Sequence, residues 1–60
     1  MKGVISTYIP SKGYGFVDGE DGIKYFLHHS AYRGGHLTAG MKIRFDASRN
    51  AKGPYVTRVN

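Results

Sequence analysis

The sequence predicts a small all-β barrel built from five short strands. Nine glycines are spread over 60 residues, and no glycine-free stretch repeats apolar side chains at the spacing of a helix. Several segments instead alternate with the period of two that is typical of half-buried strands. Sixty residues make one domain at most, so five short strands must bury one face against each other. A closed or nearly closed barrel satisfies that requirement.

Each predicted strand is a short run rich in β-branched and aromatic residues. The predicted strands are residues 2–9, 12–18, 23–29, 41–47 and 55–59. The first ends at Pro10, and the fourth, MKIRFDA, shows the cleanest alternation. Between the strands we expect a turn, DGEDG, at residues 18–22, a single helical turn at residues 30–32, and a basic turn, SRNAKGP, at residues 48–54.

The charge of the domain indicates which class of partner it binds. Nine Lys and Arg residues oppose four Asp and Glu residues, for a net charge of +5. Three of the acids, Asp18, Glu20 and Asp21, lie in one short stretch, so the remaining chain is almost purely basic. This distribution favours a polyanion, with nucleic acid ahead of an anionic membrane surface, although basic charge can also serve solubility alone.

Composition also excludes several kinds of site. No cysteine is present, which removes disulfides and thiolate metal sites and fits a reducing cytoplasm. No apolar run approaches the roughly 18 residues of a membrane span, and the N-terminus lacks the apolar region of a signal peptide. We therefore expect a cytoplasmic, monomeric domain whose sequence makes no membrane contact.

Two pairs of rings are predicted to share one face. Tyr14 and Phe16 are two residues apart on the second strand, and Phe26 and His28 are two apart on the third. If the turn at residues 18–22 joins these strands as a hairpin, the pairs lie side by side. Aromatic residues on strands often belong to the core, so a buried location is one interpretation of these rings.

A second interpretation places the rings on the surface. The interior is already supplied by apolar residues of the predicted strands, namely Val17, Leu27, Ile43, Phe45 and Val59. Gly13 and Gly15 weaken a strand, and we interpret them as clearing space for a flat ligand. Lys12 and Lys24 add positive charge at the margin. Exposed rings within a basic rim are suited to single-stranded nucleic acid, because each base stacks for about 1–3 kcal/mol.

The same segments resemble the cold-shock domain family. KGYGFV at residues 12–17 resembles its first RNP motif, K-G-F-G-F-I, and YFLHHS at residues 25–30 resembles its second, V-F-V-H-F-S. The resemblance extends along nearly all of residues 1–60 as a single domain. It implies a five-stranded antiparallel barrel of the oligonucleotide-binding (OB) type that binds single-stranded RNA or DNA with little sequence demand, in many members as an RNA chaperone.

The resemblance also implies roles for individual residues. Rings at family stacking positions are Tyr14, Phe16, Phe26 and His28, and His29 falls where the family has a further ring. Lys12 and Lys52 fall on basic positions. We add to the expected interface Tyr8, which takes a family Phe position, and Lys24, Arg33 and His36.

Departures from the family pattern occur in the first strand and the long loop. Ser6 and Thr7 replace a Lys-Trp pair. The loop at residues 32–37 is shorter than in the family and lacks the aromatic residue that normally caps one end of the binding surface, which leaves His36 as the planar group there. We therefore expect a shorter stacking surface that depends more on charge.

Other functions are less well supported. His28 and His29 are neighbours that would point to opposite faces of a strand, and no cysteine completes a metal site with His36, so we expect no metal or cofactor. Ser30 beside His29 has no orienting partner, and no phosphate-binding loop is present, so we expect no enzyme. The alternative that stays open is a barrel that binds peptides with the same exposed rings.

Overall fold

The computed structural model describes residues 1–60 and contains five strands and one 3-10 turn. The strands are β1 (Lys2–Ile9), β2 (Tyr14–Gly19), β3 (Lys24–His28), β4 (Lys42–Asn50) and β5 (Gly53–Val59), and the 3-10 turn covers His29–Ala31. No helix has the length and apolarity needed to cross a membrane. The predicted all-β class is confirmed.

The strands close into a barrel in the order β1-β2-β3-β5-β4. Four of the neighbouring pairs are antiparallel, whereas β3 and β5 run parallel and pair through Phe26 and Tyr55. The small OB-type barrel is confirmed, with the single parallel pair of β3 and β5 in an otherwise antiparallel barrel. The reason is geometric, because an odd number of strands arranged in a ring cannot alternate in direction all the way round.

The hairpin between β4 and β5 is longer than the sequence predicts. β4 continues to Asn50, which pairs with Gly53, so the turn contains only residues 51–52 and not residues 48–54. The Lys52 N–H donates to Asn50 Oδ1 at 2.9 Å and closes this turn. The turn-forming residues of SRNAKGP suggested a loop, but pairing with β5 extends the strand through them.

The barrel interior is an apolar core of eight buried residues. These are Ile5, Val17, Tyr25, Leu27, Leu37, Ile43, Phe45 and Val56. The predicted inward positions of Val17, Leu27, Ile43 and Phe45 are confirmed, whereas Val59 is only half-buried against this core. Leu37 comes from the loop before β4, where no strand periodicity marked it as a core residue.

The turn between β2 and β3 is held by a side chain from the core. The Tyr25 hydroxyl donates to Asp21 Oδ2, and the Ile23 N–H donates to Asp21 Oδ1 at 3.0 Å. The Tyr25 hydrogen bond, with help from the Ile23 N–H, lowers the pKa of the Asp21 carboxyl, and the same hydrogen bond raises the pKa of the Tyr25 phenol. The carboxylate therefore stays charged and the phenol neutral, which anchors the hairpin turn.

Gly15 lies on the inner face, where β1 and β2 approach closely. It pairs with Tyr8 on one side and with the buried Leu27 on the other. A Cβ atom here would overlap the Thr7 carbonyl oxygen and lie 2.7 Å from the Tyr8 Cα. The interpretation that Gly15 clears space for a ligand is therefore wrong, because this glycine admits the neighbouring strand.

Gly13 also serves the fold. Its φ of 74° lies in the left-handed region, which favours glycine, and its carbonyl accepts a hydrogen bond from the His29 N–H at 2.8 Å. An added Cβ would lie 2.7 Å from the His29 Cδ2. The space beside Gly13 is occupied by a ring of the protein itself.

Replacing Gly15 with alanine should destabilise the barrel. The overlapping atoms belong to backbone, which no side-chain rotation can relieve, so we expect Gly15→Ala to lower the free energy of unfolding by about 1–3 kcal/mol. Urea denaturation measures this change. The control Ser48→Ala, at an exposed strand position, should stay within about 0.5 kcal/mol of the parent. Equal stability of Gly15→Ala and the parent would contradict the close approach of β1 and β2.

Candidate nucleic-acid interface

Four rings lie together on the outer surface of the β2–β3 hairpin. Tyr14 pairs with His28, and Phe16 pairs with Phe26, in one antiparallel register. Residues directly opposite in such a register share a face, and the alternate residues Val17 and Leu27 point into the core. The predicted hairpin is confirmed, and we call the set of Tyr14, Phe16, Phe26 and His28 the aromatic platform.

Phe26 is the centre of the aromatic platform. Its ring centroid lies 5.7 Å from that of Tyr14, 5.9 Å from that of Phe16 and 6.5 Å from that of His28. The Phe26 side chain is 38% exposed, while Tyr14 and Phe16 are half-buried. None of these rings belongs to the core. They support each other from the side and keep part of each ring surface available to a ligand.

His29 extends the platform, in a position that strand parity did not predict. Its ring lies 4.3 Å from the His28 ring, tilted by 36°. The expectation that these two histidines point to opposite faces is wrong, because β3 ends at His28 and His29 begins the 3-10 turn. No cluster of three or more His, Cys, Asp or Glu side chains is placed to hold a metal ion.

Ser30 orients the His28 ring. The Ser30 N–H donates to His28 Nδ1 at 3.2 Å, and the Ser30 hydroxyl lies 2.8 Å from the same nitrogen. A ring nitrogen that accepts a backbone N–H carries no proton, so in the neutral imidazole Nε2 is the donor. His28 can therefore present both a ring face and a hydrogen-bond donor to a ligand.

Two lysines border the aromatic platform. Lys24 Nζ lies 5.9 Å from the Phe16 ring centroid and forms an exposed ion pair with Asp18 at 3.7 Å. Lys52, in the turn between β4 and β5, borders a groove beside Phe26. Of the two lysines expected at the margin, Lys24 lies beside a platform ring, and Lys52 adds a cation at the groove.

Three further predicted interface residues lie in exposed turns and loops. Lys12 is in the turn before β2, and His36 is in the loop before β4. Arg33 borders a depression that shares Ser30 and Ala31 with the groove beside the platform. All three side chains are exposed and so are accessible to a ligand.

Tyr8 is a predicted interface residue that the structure places elsewhere. It pairs with the inward-facing Gly15 and packs half-buried against the core. A bulge between Ile5 and Thr7 shifts the register of β1, and this reverses the faces of the residues that follow. We therefore leave Tyr8 out of the interface.

Thr7 takes the outward position that the bulge creates. It pairs with Phe16, which in turn pairs with Phe26, so the three side chains form one row on the outer face. Thr7 is exposed, and the Ser6 hydroxyl within the bulge donates to the Phe16 carbonyl oxygen at 3.3 Å. Thr7 therefore points toward the platform side.

A groove of about 660 Å³ separates the platform from the β4–β5 hairpin. Phe16, Phe26 and His28 line it from the platform, and Lys52 and Tyr55 line it from the hairpin. Tyr55 is not among the interface residues that the sequence predicts. Its outward direction could have been inferred from alternation with Val56, but its position beside Phe26 depends on the parallel pairing of β3 with β5.

A second depression, also of about 660 Å³, lies on the β1–β4 side of the barrel. Acidic and basic side chains are mixed in its lining, including Lys2, Asp18, Glu20 and Arg44. The aromatic platform does not extend to it. The groove beside the platform is the better candidate, because it combines ring surfaces with cationic and neutral polar groups.

Comparison with known proteins agrees with this geometry. The family model described as 'Cold-shock' DNA-binding domain matches residues 1–60. Cold shock protein 2 of Lactiplantibacillus plantarum is 35% identical over 60 residues, which cover 95% of this chain and 91% of that protein. Cold shock-like protein CspE of Escherichia coli is 36% identical over 63 residues, covering 98% and 91%. Cold shock-like protein CspC of Bacillus cereus is 36% identical over 62 residues, covering 98% and 95%.

These matches cover nearly the full length of the relatives. They confirm the resemblance carried by the two RNP-like motifs, and they support nucleic-acid binding over catalysis or peptide binding. The chain belongs to the cold-shock DNA-binding domain family.

Proposed function

We propose that this domain binds single-stranded RNA or DNA with little sequence specificity, by stacking bases on the aromatic platform. The observation that carries the proposal is the outward cluster of rings around Phe26, bordered by Lys24 and Lys52. Every base has a flat face, so stacking contributes about 1–3 kcal/mol per base whatever the sequence. Paired bases in a duplex do not present those faces, which favours a single strand.

Charge supplies the second part of the binding free energy. The net charge is +5, and the ion pair of Lys24 with Asp18 is exposed, so a phosphate can compete for the lysine. Lys12, Arg33 and Lys52 lie in exposed turns or loops around the platform. Contacts of this kind hold the backbone of the ligand without selecting its sequence.

The proposed cellular role is that of an RNA chaperone, with residues 1–60 acting as one monomeric domain in the cytoplasm. A platform of a few rings holds only a few bases at a time. Each stacked base contributes only about 1–3 kcal/mol, so a bound strand can dissociate and be replaced by another. While a strand is bound, its stacked bases cannot pair with a second strand. Rapid exchange of this kind suits a protein that keeps transcripts unpaired.

Titration with three ligands tests the proposed function. The ligands are oligothymidine, the same sequence annealed to its complement, and a proline-rich peptide, each followed by anisotropy at several salt concentrations. We expect the single strand to bind most tightly. Engagement of about three or four phosphates should give a log–log salt slope of about −2 to −3. Peptide binding with a flat salt response would overturn the proposal in favour of a peptide-binding barrel.

Truncating a platform ring should weaken binding more than it weakens folding. Phe26→Ala removes an exposed ring, so we expect oligothymidine binding to lose about 1–3 kcal/mol. The matched core variant is Val17→Ala, which should lower the free energy of unfolding and leave the affinity of the folded fraction unchanged. Calorimetric titration and urea denaturation give the two quantities. Unchanged affinity of Phe26→Ala would remove the platform from the interface.

Thr7→Trp should extend the platform by one ring. Residue 7 is exposed and lies in one row with Phe16 and Phe26, so an indole there can stack a further base and add up to about 1–3 kcal/mol. Because the chain has no other tryptophan, quenching of indole fluorescence on titration reports the stacking directly. The control is Asn60→Trp, at an exposed position on the β1–β4 side of the barrel, which the aromatic platform does not reach. If both variants bind like the parent, β1 does not take part in binding.

A further inference from the structure

We propose that Tyr55 forms an additional base-binding subsite in the groove between β3 and β5. This inference rests on the proposed binding of a single strand to the aromatic platform, and it extends that site onto a strand that carries none of the four platform rings. The ligand of the subsite is one further nucleotide of the same strand, with its base against the Tyr55 ring.

The position of Tyr55 follows from its pairing. Tyr55 lies opposite Phe26 in the parallel pair of β3 and β5, and its neighbour Val56 is buried in the core. Because successive side chains of a strand point to opposite faces, Tyr55 points outward beside the central ring of the platform. It is half-buried, so packing limits the movement of its ring.

The groove beside Tyr55 exists because β3 and β5 pair at a single position. Their only registered partners are Phe26 and Tyr55, whereas the β2–β3 pair registers five partners. On either side of this bridge the space between the strands is bordered by His28 and Ser30 from one edge, and by Thr57 from the other. The resulting volume of about 660 Å³ is open to the ligand that occupies the platform.

The groups around the groove match the chemistry of a nucleotide. Tyr55 offers a ring face and a hydroxyl, while Asn50 and Thr57 offer neutral polar groups for a base edge. Lys52 borders the same groove and supplies a cation for the adjoining phosphate. Stacking surface, edge contacts and phosphate charge thus come together at the β4–β5 hairpin.

Binding as a function of strand length tests the subsite. Oligothymidines from about three to about eight nucleotides are titrated against the parent, Tyr55→Leu and Tyr55→Phe. The leucine keeps apolar bulk without the ring, and the phenylalanine keeps the ring. We expect Tyr55→Leu to match the parent on the shortest strands and to bind the longer strands about fivefold to 150-fold more weakly. Tyr55→Phe should retain most of the affinity at every length.

Each outcome separates this inference from the proposed function. If Tyr55→Leu matches the parent at all lengths, or loses affinity equally at all lengths, there is no additional subsite, although the platform still binds. If the parent binds no strand of any length, the proposed function itself fails.

A second measurement does not depend on whether Tyr55→Leu folds. A single 2-aminopurine is moved along the longest strand, and its fluorescence is followed on binding to the parent. One quenched position beyond those held by the platform is expected, with Tyr55→Phe giving the same profile. A profile with no such position contradicts the subsite, including the case in which Tyr55→Leu fails to fold.

Discussion

The direct pairing of Phe16 with Phe26 is the constraint on which the fold and the site both depend. This register turns Val17 and Leu27 into the core and keeps the rings of Tyr14, Phe16, Phe26 and His28 outside. A slip of one residue would exchange the two sets and remove core and platform together. The hydrogen bond between Tyr25 and Asp21 anchors the turn that sets this register, so a core residue helps to position the exposed rings.

The two faces of each strand have different functions, and this allows a chain of 60 residues to form both a core and a binding surface. The inner faces of the strands supply seven of the eight core residues, with Leu37 added from the loop before β4, and the outer face carries the rings and the charges. A domain of this length buries only about 60% of the surface that its unfolded chain exposes. Phe26 lies outside the core and remains accessible to a ligand, while Phe45 is fully buried.

The sequence was most informative where a pattern is local. Alternation along single strands placed Val17, Leu27 and Phe45 inside, and the turn DGEDG indicated the hairpin that joins the platform rings. The errors have non-local or irregular causes. A bulge in β1 turns the Tyr8 side chain from the outer face to the inner face. Pairing with β5 extends β4 into a segment rich in turn-forming residues.

Tyr55 is a site residue that local sequence patterns could not place beside the platform. Nothing in its neighbourhood along the chain connects it to Phe26, because the two residues meet only through the closure of the barrel. Gly15 is the converse case. Its place between two rings in the sequence suggested a role in ligand access, while its function comes from contact with β1 across the sheet. Strand order, which local patterns do not encode, decides both.

The odd number of strands leaves one weakly paired junction in the barrel, between β3 and β5, which we call the seam. β3 and β5 register at one bridge, so few backbone hydrogen bonds join these two strands. The core residue Val56 lies directly behind the seam, next to Tyr55. A ligand that contacts both β3 and β5 would hold the two strands together. Its binding free energy would then add to the stability of the closed barrel. A ligand bound at the proposed Tyr55 subsite would therefore couple binding to folding.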